Sequence, residues 1–352
     1  MAGLILVANA GSSSLKLSVV RADDTTTAVE TLDDAPYGVT AVAHRIVHGG
    51  SRFREPVLID DAVREELIGL GDLAPLHNRL EIGVVDEARR LLPEVPHVAV
   101  FDTAFHATIP EEAAAYAVPR RWREEWGVRR YGFHGLSVQW AAEQVPVPRL
   151  VVCHLGAGCS VTAVEEGRSV DTTMGFSPLE GVPMATRSGS IDPAVALYLI
   201  RTRRLDAAAI EQALEEESGL LGLSGSSSRV EVLERSTDPA AQLALAVFVH
   251  RVAGAVAAMA AALRGLDALV FTGGVGERSA AVRRGICDRL GFLGVELDRP
   301  ANERAEPDVE IQAAGGVRIV VLRAREDVVA ARETRRVLAR NMTQTSSRTP
   351  VS

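Results

Sequence analysis

Four kinds of residue in this chain suit phosphoryl transfer, each in a short and distinctive setting. Glycine- and serine-rich turns follow apolar runs at residues 11–14, 156–160 and 273–276. Such turns present backbone N–H groups to an anion, and glycine lets the backbone approach it closely. The third also opens a helix, whose dipole favours an anion at its N-terminus. None has the Walker spacing, because no glycine precedes the lysine of GSSSLK (11–16) and a strand follows it. Gly156-Ala157-Gly158 also runs into a strand, which excludes a dinucleotide fingerprint. Any one of these reads equally as an ordinary turn. Arg45 lies inside the apolar run HRIV, where a guanidinium needs a carboxylate partner or an anionic ligand. Asp102 ends the apolar run HVAVF, the end of a strand at which open α/β sheets bind ligands. His134 is framed by aromatics and glycines in YGFHG, a setting for either a buried structural histidine or a ligand-facing one. Arg187 stands in the small-residue stretch MATRSGS. Two arginines, a carboxylate, a histidine and three phosphate-type turns suit a reaction that runs on positioning and charge neutralisation.

The elements that must position these groups are legible in the hydrophobic pattern. Strands are predicted over 4–7, 15–20, 41–47 and 97–101, then over 150–154, 159–164, 268–271 and 317–322. Helices are predicted over 60–70, 80–92, 193–200, 206–216 and 239–264, from about 279, and over 326–340. Residues 21–40 are polar and read as a surface connection. The unit strand, polar residue, Gly/Ser turn, strand occurs at 4–20 and again about 145 residues later, which suggests two related halves of class α/β.

Composition bounds the function. Of 352 residues, 47% are hydrophobic and 24% charged, enough for a buried core and, by length, two domains. The net charge, 38 − 46 = −8, argues against a general nucleic-acid binder. Cys153, Cys159 and Cys287 show no CxxC spacing, which excludes a disulfide scaffold and an obvious zinc site and fits a reducing cytosol. No targeting segment is evident. The greasiest stretch, 243–263, carries His250 and Arg251 in its middle and reads as a buried helix, not a membrane span.

Longer motifs then resemble one family. NAGSSSLK (9–16), HRIVHGG (44–50), LAPLHN (73–78), FDTAFHATIP (101–110), YGFHG (131–135), HLGAG (154–158), MGFSPLEG (174–181), TRSGSIDP (186–193), TGGVGE (272–277) and ARET (331–334) together look like acetate kinase, a short-chain acyl kinase family. The resemblance spans residue 4 to about 335. It implies two duplicated ribonuclease-H-like domains of the actin, sugar-kinase and Hsp70 type with an active-site cleft between them. The expected acyl-binding domain is 1–104 completed by the helix 327–341. The nucleotide-binding domain is 105–326, and 342–352 is a disordered tail.

By resemblance, Asp102, His134 and Arg187 are catalytic, and Arg45 binds the acyl carboxylate. Val47, Leu76, Phe133 and Pro178 line a small pocket for the acyl methyl. Asn9 and Glu326 associate with magnesium, for which manganese can substitute. Lys16 contacts the nucleotide. His154, Leu155, Gly156, Ala157 and Gly158 form a phosphate loop; Gly274, Val275, Gly276, Glu277 and Arg278 form a nucleoside loop. Arg229, Val230 and Glu231 occupy the adenosine segment. The implied reaction makes acetyl phosphate from acetate and ATP, reversibly. Propionate is a second substrate, because an apolar pocket discriminates chain length by only about 1–3 kcal/mol per methylene. The family also implies a cytoplasmic homodimer, for which the 243–263 helix offers a face, and no nucleic-acid or membrane partner.

The chain departs from the family pattern in four places. The 20–41 stretch is short, and Ala157 stands where asparagine is usual. Arg229-Val230-Glu231 replaces Asp-Phe-Arg, and Arg278 replaces asparagine. These leave two alternatives open: a different phosphoryl donor, such as another nucleotide or pyrophosphate, or a nucleotide-binding module of the same fold without activity.

Overall fold

Apolar runs too short for helices pair into two six-stranded sheets, one in each of two compact units. The computed structural model describes residues 3–10, 15–71 and 78–346. Unit 1 comprises Met1–Ala107, Gly135–Trp140 and Arg325–Ser352; unit 2 comprises Thr108–His134 and Ala141–Ala324.

The sheet of unit 1 contains β1 (Leu4–Ala10), β2 (Leu15–Val20), β3 (Thr26–Val29), β4 (Val39–Ile46), β5 (Val57–Leu58) and β6 (His97–Phe101), in the order β3-β2-β1-β4-β6-β5. β1, β4 and β6 run parallel, while β2, β3 and β5 are antiparallel to their neighbours. Unit 2 holds β7 (Arg149–Leu155), β8 (Cys159–Glu165), β9 (Arg168–Thr172), β10 (Ala268–Thr272), β11 (Val309–Glu310) and β12 (Arg318–Val321). Read from β9, their order is β9-β8-β7-β10-β12-β11, with the same parallel and antiparallel pairings. The repeat suggested by two short stretches of sequence is therefore a duplication of a whole sheet.

Every residue of β6 and of β10 is buried, as expected for central parallel strands covered on both faces. In unit 1 alternate residues of β1 serve two cores. Ile5 and Val7 pack with Val328, Val329 and Ala331 of the helix Glu326–Ser346, whereas Leu6 and Ala8 pack toward Ala88 of the helix Asn78–Leu91. The helix Pro239–Ala262 has the length and apolarity of a membrane span. It nevertheless buries one stripe (Ala241, Ala244, Phe248, Val252, Val256, Met259) within unit 2 and leaves His250 and Arg251 exposed.

Besides short elements the pattern did not mark, and β9 and the helix Gly135–Gln144, three regions differ from the sequence expectation. Residues 21–40 are more than a connection, for they include β3, an edge strand whose threonines hide the alternation that marks a half-buried strand. The turn at 273–276 is itself the start of a helix, Gly273–Arg278. Gly273 makes this possible: its φ is +76°, and a Cβ there would lie 2.8 Å from the Leu155 carbonyl oxygen, so only glycine turns the chain so sharply off β10. The last helix runs on to Ser346, since nothing after Arg340 breaks it and Thr343 bonds back to the Ala339 carbonyl at 3.1 Å. The predicted turn at 11–14 lies outside the described residues.

Candidate active site

In unit 1 the sheet register assembles a polar row. Lys16 of β2 stands opposite Asn9 of β1, which stands opposite Arg45 of β4, so the three side chains share one face. Arg45 grips Asp102 with two parallel hydrogen bonds, Nε to Oδ1 at 3.0 Å and Nη2 to Oδ2, and Nη1 donates to Asn9 Oδ1 at 3.1 Å. Asn9 Nδ2 in turn donates to Glu326 Oε2 at 3.4 Å. Asp102 is 1% exposed and the Arg45 side chain 13%. Burial alone would lower the Arg45 pKa, but Asp102 beside it, with Glu326 further off, overrides that and keeps the guanidinium charged. Asp102 is fixed through its backbone: its N–H donates to Ile46 O at 3.0 Å and its carbonyl accepts from Gly135 N at 2.9 Å. Val47 is buried, and its N–H donates to Glu81 Oε2 at 3.0 Å. Lys16 is exposed. Leu76 lies outside the described residues.

In unit 2 the equivalent row is Ser160 of β8, His154 of β7 and Thr272 of β10. His134 precedes the helix Gly135–Gln144 with φ at +59°, a left-handed conformation that costs a non-glycine residue roughly 1–3 kcal/mol and marks functional positions. Its ring stacks on His154 with centroids 4.2 Å apart, and its Nδ1 lies 3.0 Å from Ser160 Oγ. A Cβ placed on Gly158 would lie 3.1 Å from His134 Nε2 and 3.7 Å from Arg187 Nη1, so the missing side chain leaves open the space that both groups border. Arg187 is held by Glu215, Nε to Oε2 at 3.3 Å, and by the Pro178 carbonyl at 3.5 Å. Ala185 N donates to Ala157 O at 3.1 Å, which ties the arginine-bearing stretch to the first glycine loop. The second loop adjoins the first, for a Cβ on Gly156 would lie 3.8 Å from Gly274 N.

Unit 2 thus brings together His134, His154, Gly156, Gly158, Arg187 and Gly274. Other sequence candidates take different positions. Leu155 is fully buried and offers only its backbone. Glu277 Oε1 accepts from Ala324 N at 3.0 Å, an internal bond, and the carbonyls of Gly276 and Glu277 both accept from the buried Arg283 at 2.9 Å. Val275 is part-buried, and the Arg278 guanidinium folds back over Gly274. Val230 is 4% exposed, and the exposed side chains of Arg229 and Glu231 pair with each other. Phe133 and Pro178 are buried in unit 2. Sequence reasoning placed Ser160 only at the end of a phosphate-type turn and missed Glu215, Arg283 and Glu81. Only Glu81 carried a signal, a carboxylate on the core-facing stripe it forms with Val85 and Ala88.

No three His, Cys, Asp or Glu side chains converge as a metal site among the described residues. Asn9 and Glu326 offer an amide and a carboxylate oxygen, a hard and sparse donor set. That suits magnesium, which takes its remaining positions from water and phosphate.

Two sheets of one topology, with polar rows at equivalent strand ends, define a duplicated α/β fold consistent with the actin, sugar-kinase and Hsp70 type. The Acetokinase family model matches residues 25–332. The chain is 48% identical over 316 residues to acetate kinase of Deinococcus deserti, covering 86% of this chain and 79% of that one. It is 43% identical over 301 residues to acetate kinase of Nostoc punctiforme, covering 82% and 74%. Among solved structures, a propionate kinase from Francisella tularensis superposes with a TM-score of 0.87 at 34% identity, covering 94% of this chain and 98% of that one. Porphyromonas gingivalis acetate kinase gives 0.84 at 33% identity, covering 96% and 100%. The chain belongs to the acetokinase family.

Proposed function

We propose that this chain is an acetate kinase that forms acetyl phosphate and ADP from acetate and ATP, reversibly. The observation that carries the reading is the cradle in unit 2, where His134 Nε2 and Arg187 Nη1 border the space left by Gly158. Two side-chain donors and the adjoining glycine loops suit the equatorial oxygens of a phosphoryl group in flight.

In this reading an acetate oxygen forms a bond to the γ-phosphorus while the bond to the ADP oxygen breaks, and no proton is released. Arg45 holds the acetate carboxylate and Asp102 holds Arg45 in place. Arg187 and His134 neutralise charge that builds on the transferring group. The backbone N–H groups of the 154–158 and 274–278 loops of unit 2 would hold the phosphates of ATP. Asn9 and Glu326 would hold magnesium, or manganese in its place, and the ion would supply neutralisation of phosphate charge. Val47, buried beside Arg45 in unit 1, would line the space for the methyl group; propionate is the substrate named for one of the structural neighbours.

A different donor and an inactive binding module are not favoured. A module has no use for both arginines, and relatives at 43–48% identity are acetate kinases. A homodimer forms through the helix Pro193–Arg203, none of whose residues is buried although Val195, Leu197, Tyr198 and Ile200 are each 41–57% exposed. The helix 243–263, the other candidate face, buries one stripe in the core of unit 2 and leaves Leu243 exposed. The enzyme works in the cytosol, in keeping with three free, buried cysteines. Trapping acyl phosphate with hydroxylamine, from acetate and Mg·ATP, tests the activity; no hydroxamate above a no-enzyme control would sink it.

A further inference from the structure

Glu81 lies on the buried stripe of the helix Asn78–Leu91 and is 2% exposed. Its Oε2 accepts the Val47 N–H at 3.0 Å, and its Oε1, also buried, has no partner among the described residues. The charged groups acting on it are Arg45 of β4 and Asp102 at the end of β6. Both oxygens of Asp102 already occupy Arg45, so among the described residues Glu81 has no cation of its own. Other titratable groups on elements packed against this helix are otherwise engaged. Asp61 pairs with Arg89 and Arg64 with Asp86, Asp33 lies near Arg90, and His44 bonds to His97. His48, next to Val47, accepts from Gly50 N at 2.9 Å.

A buried carboxyl with one hydrogen bond and no cation favours its neutral form, and burial pushes the Glu81 pKa up to about 8. A substrate carboxylate at Arg45 would meet Asp102 there already, and an ionised Glu81 would add a second like charge.

We propose that Glu81 is a positioning residue of the carboxylate site: it anchors Val47 and carries a proton while a substrate carboxylate is held at Arg45, so that acetate binding takes up a proton. The inference rests on the reading of Arg45 as the acetate-binding group.

Two measurements on the intact enzyme test it: the acetate KM with saturating Mg·ATP from pH 7 to 9, and acetate calorimetry at pH 8.5 in two buffers of different ionisation enthalpy. The wild-type acetate KM should rise about tenfold from pH 7 to 9, with more than about half a proton taken up per acetate at pH 8.5. Glu81→Gln, whose amide oxygen still accepts from Val47 N, should flatten the KM profile and abolish the uptake while kcat at pH 7 stays near wild type. Glu81→Ala, which loses the anchor too, should raise the acetate KM at every pH. A flat wild-type profile without uptake, or the same slope and uptake in Glu81→Gln, overturns the proposal. A wild-type protein that neither binds nor phosphorylates acetate overturns the acetate reading itself, and the proposal with it.

Discussion

At equivalent places in two sheets of one topology, unit 1 carries Lys16, Asn9 and Arg45, whereas unit 2 carries Ser160, His154 and Thr272. The duplicated fold supplies the same strand ends twice, and the side chains decide what each can hold. Unit 1 sets full charges at its strand ends: the buried Arg45 has Asp102 as partner, the neutral Asn9 bridges Arg45 and Glu326, and Lys16 is exposed. Unit 2 has no Lys, Arg, Asp or Glu in its row and sets it beside glycine loops, so that the donors offered to an anion would be backbone N–H groups with Arg187 and His134 beside them. Point charges suit a small carboxylate, while a ring of directed donors suits the several oxygens of a phosphate chain.

The sharpest way to break this contrast is to remove the charge from unit 1. Arg45→Ala should cost roughly 3–5 kcal/mol of stability, because it leaves the Asp102 carboxylate buried and unpaired, and should raise the acetate KM more than it lowers kcat. Urea unfolding and steady-state kinetics read the two effects. The double variant Arg45→Ala/Asp102→Ala should recover much of the stability but none of the acetate affinity.

The matching cut in unit 2 should behave differently. Arg187→Ala should lower kcat by roughly 10²–10³-fold, the range for loss of one transition-state donor, with a much smaller change in the acetate KM. Turnover near wild type, in a protein whose circular dichroism is unchanged, would remove Arg187 from the mechanism.

Acid should also tell the units apart. In unit 1 His44 Nε2 lies 3.0 Å from His97 Nδ1, and burial lowers both pKa values, that of His44 from 6.5 to about 3. A depressed pKa means that the stability is present above pH 6.5 and is lost as pH falls toward 3, by up to about 1.4 kcal/mol per pH unit. Glu81, raised from 4.5 to about 8, contributes the opposite slope between those values, and carboxylates held low by arginines, such as Asp86 and Asp267, also lose stability in acid, so the histidine effect is read as a difference from a variant. The stability difference between wild type and His44→Asn should therefore shrink as pH drops from 4.5 to 3. A constant difference would mean that the pair titrates normally.

Smaller effects sharpen the pocket and the nucleotide site. Val47→Ala should improve kcat/KM for propionate and butyrate relative to acetate by about tenfold, since one or two methylenes of room are gained. An unmoved acetate-to-butyrate ratio would take Val47 out of the pocket. In unit 2, Val230 is buried and Arg229 is neutralised by Glu231, so neither is set to read a base. ATP and GTP should then give kcat/KM values within about tenfold of each other. Strong rejection of GTP would locate base recognition elsewhere in unit 2.

Much of this was legible in the chain because the motif residues carry their signal locally. An arginine inside an apolar strand, a carboxylate at a strand end and a histidine between aromatics and glycines are each anomalous within a few neighbours, and Arg45, Asp102 and His134 were found that way. β3 escaped because an edge strand rich in threonine lacks alternation, and the helix Gly273–Arg278 escaped because glycines read as a turn whichever way the chain then goes. Glu215 and Arg283 escaped, and Ser160 was seen only as the end of a turn, because they are ordinary polar residues until the fold sets them against Arg187, the second glycine loop and His134.

The sequence by itself determined the α/β class, the strands at 4–7, 97–101 and 268–271, and the residue types that a phosphoryl transfer needs, since hydrophobic period and side-chain chemistry are properties of short segments. Only the tertiary structure decided the pairings. Arg45 and Asp102 are 57 residues apart, and Glu81 and Val47 are 34. Their meeting depends on which strand lies beside which and in what register, and a shift of one residue would turn Arg45 to the opposite face of the sheet.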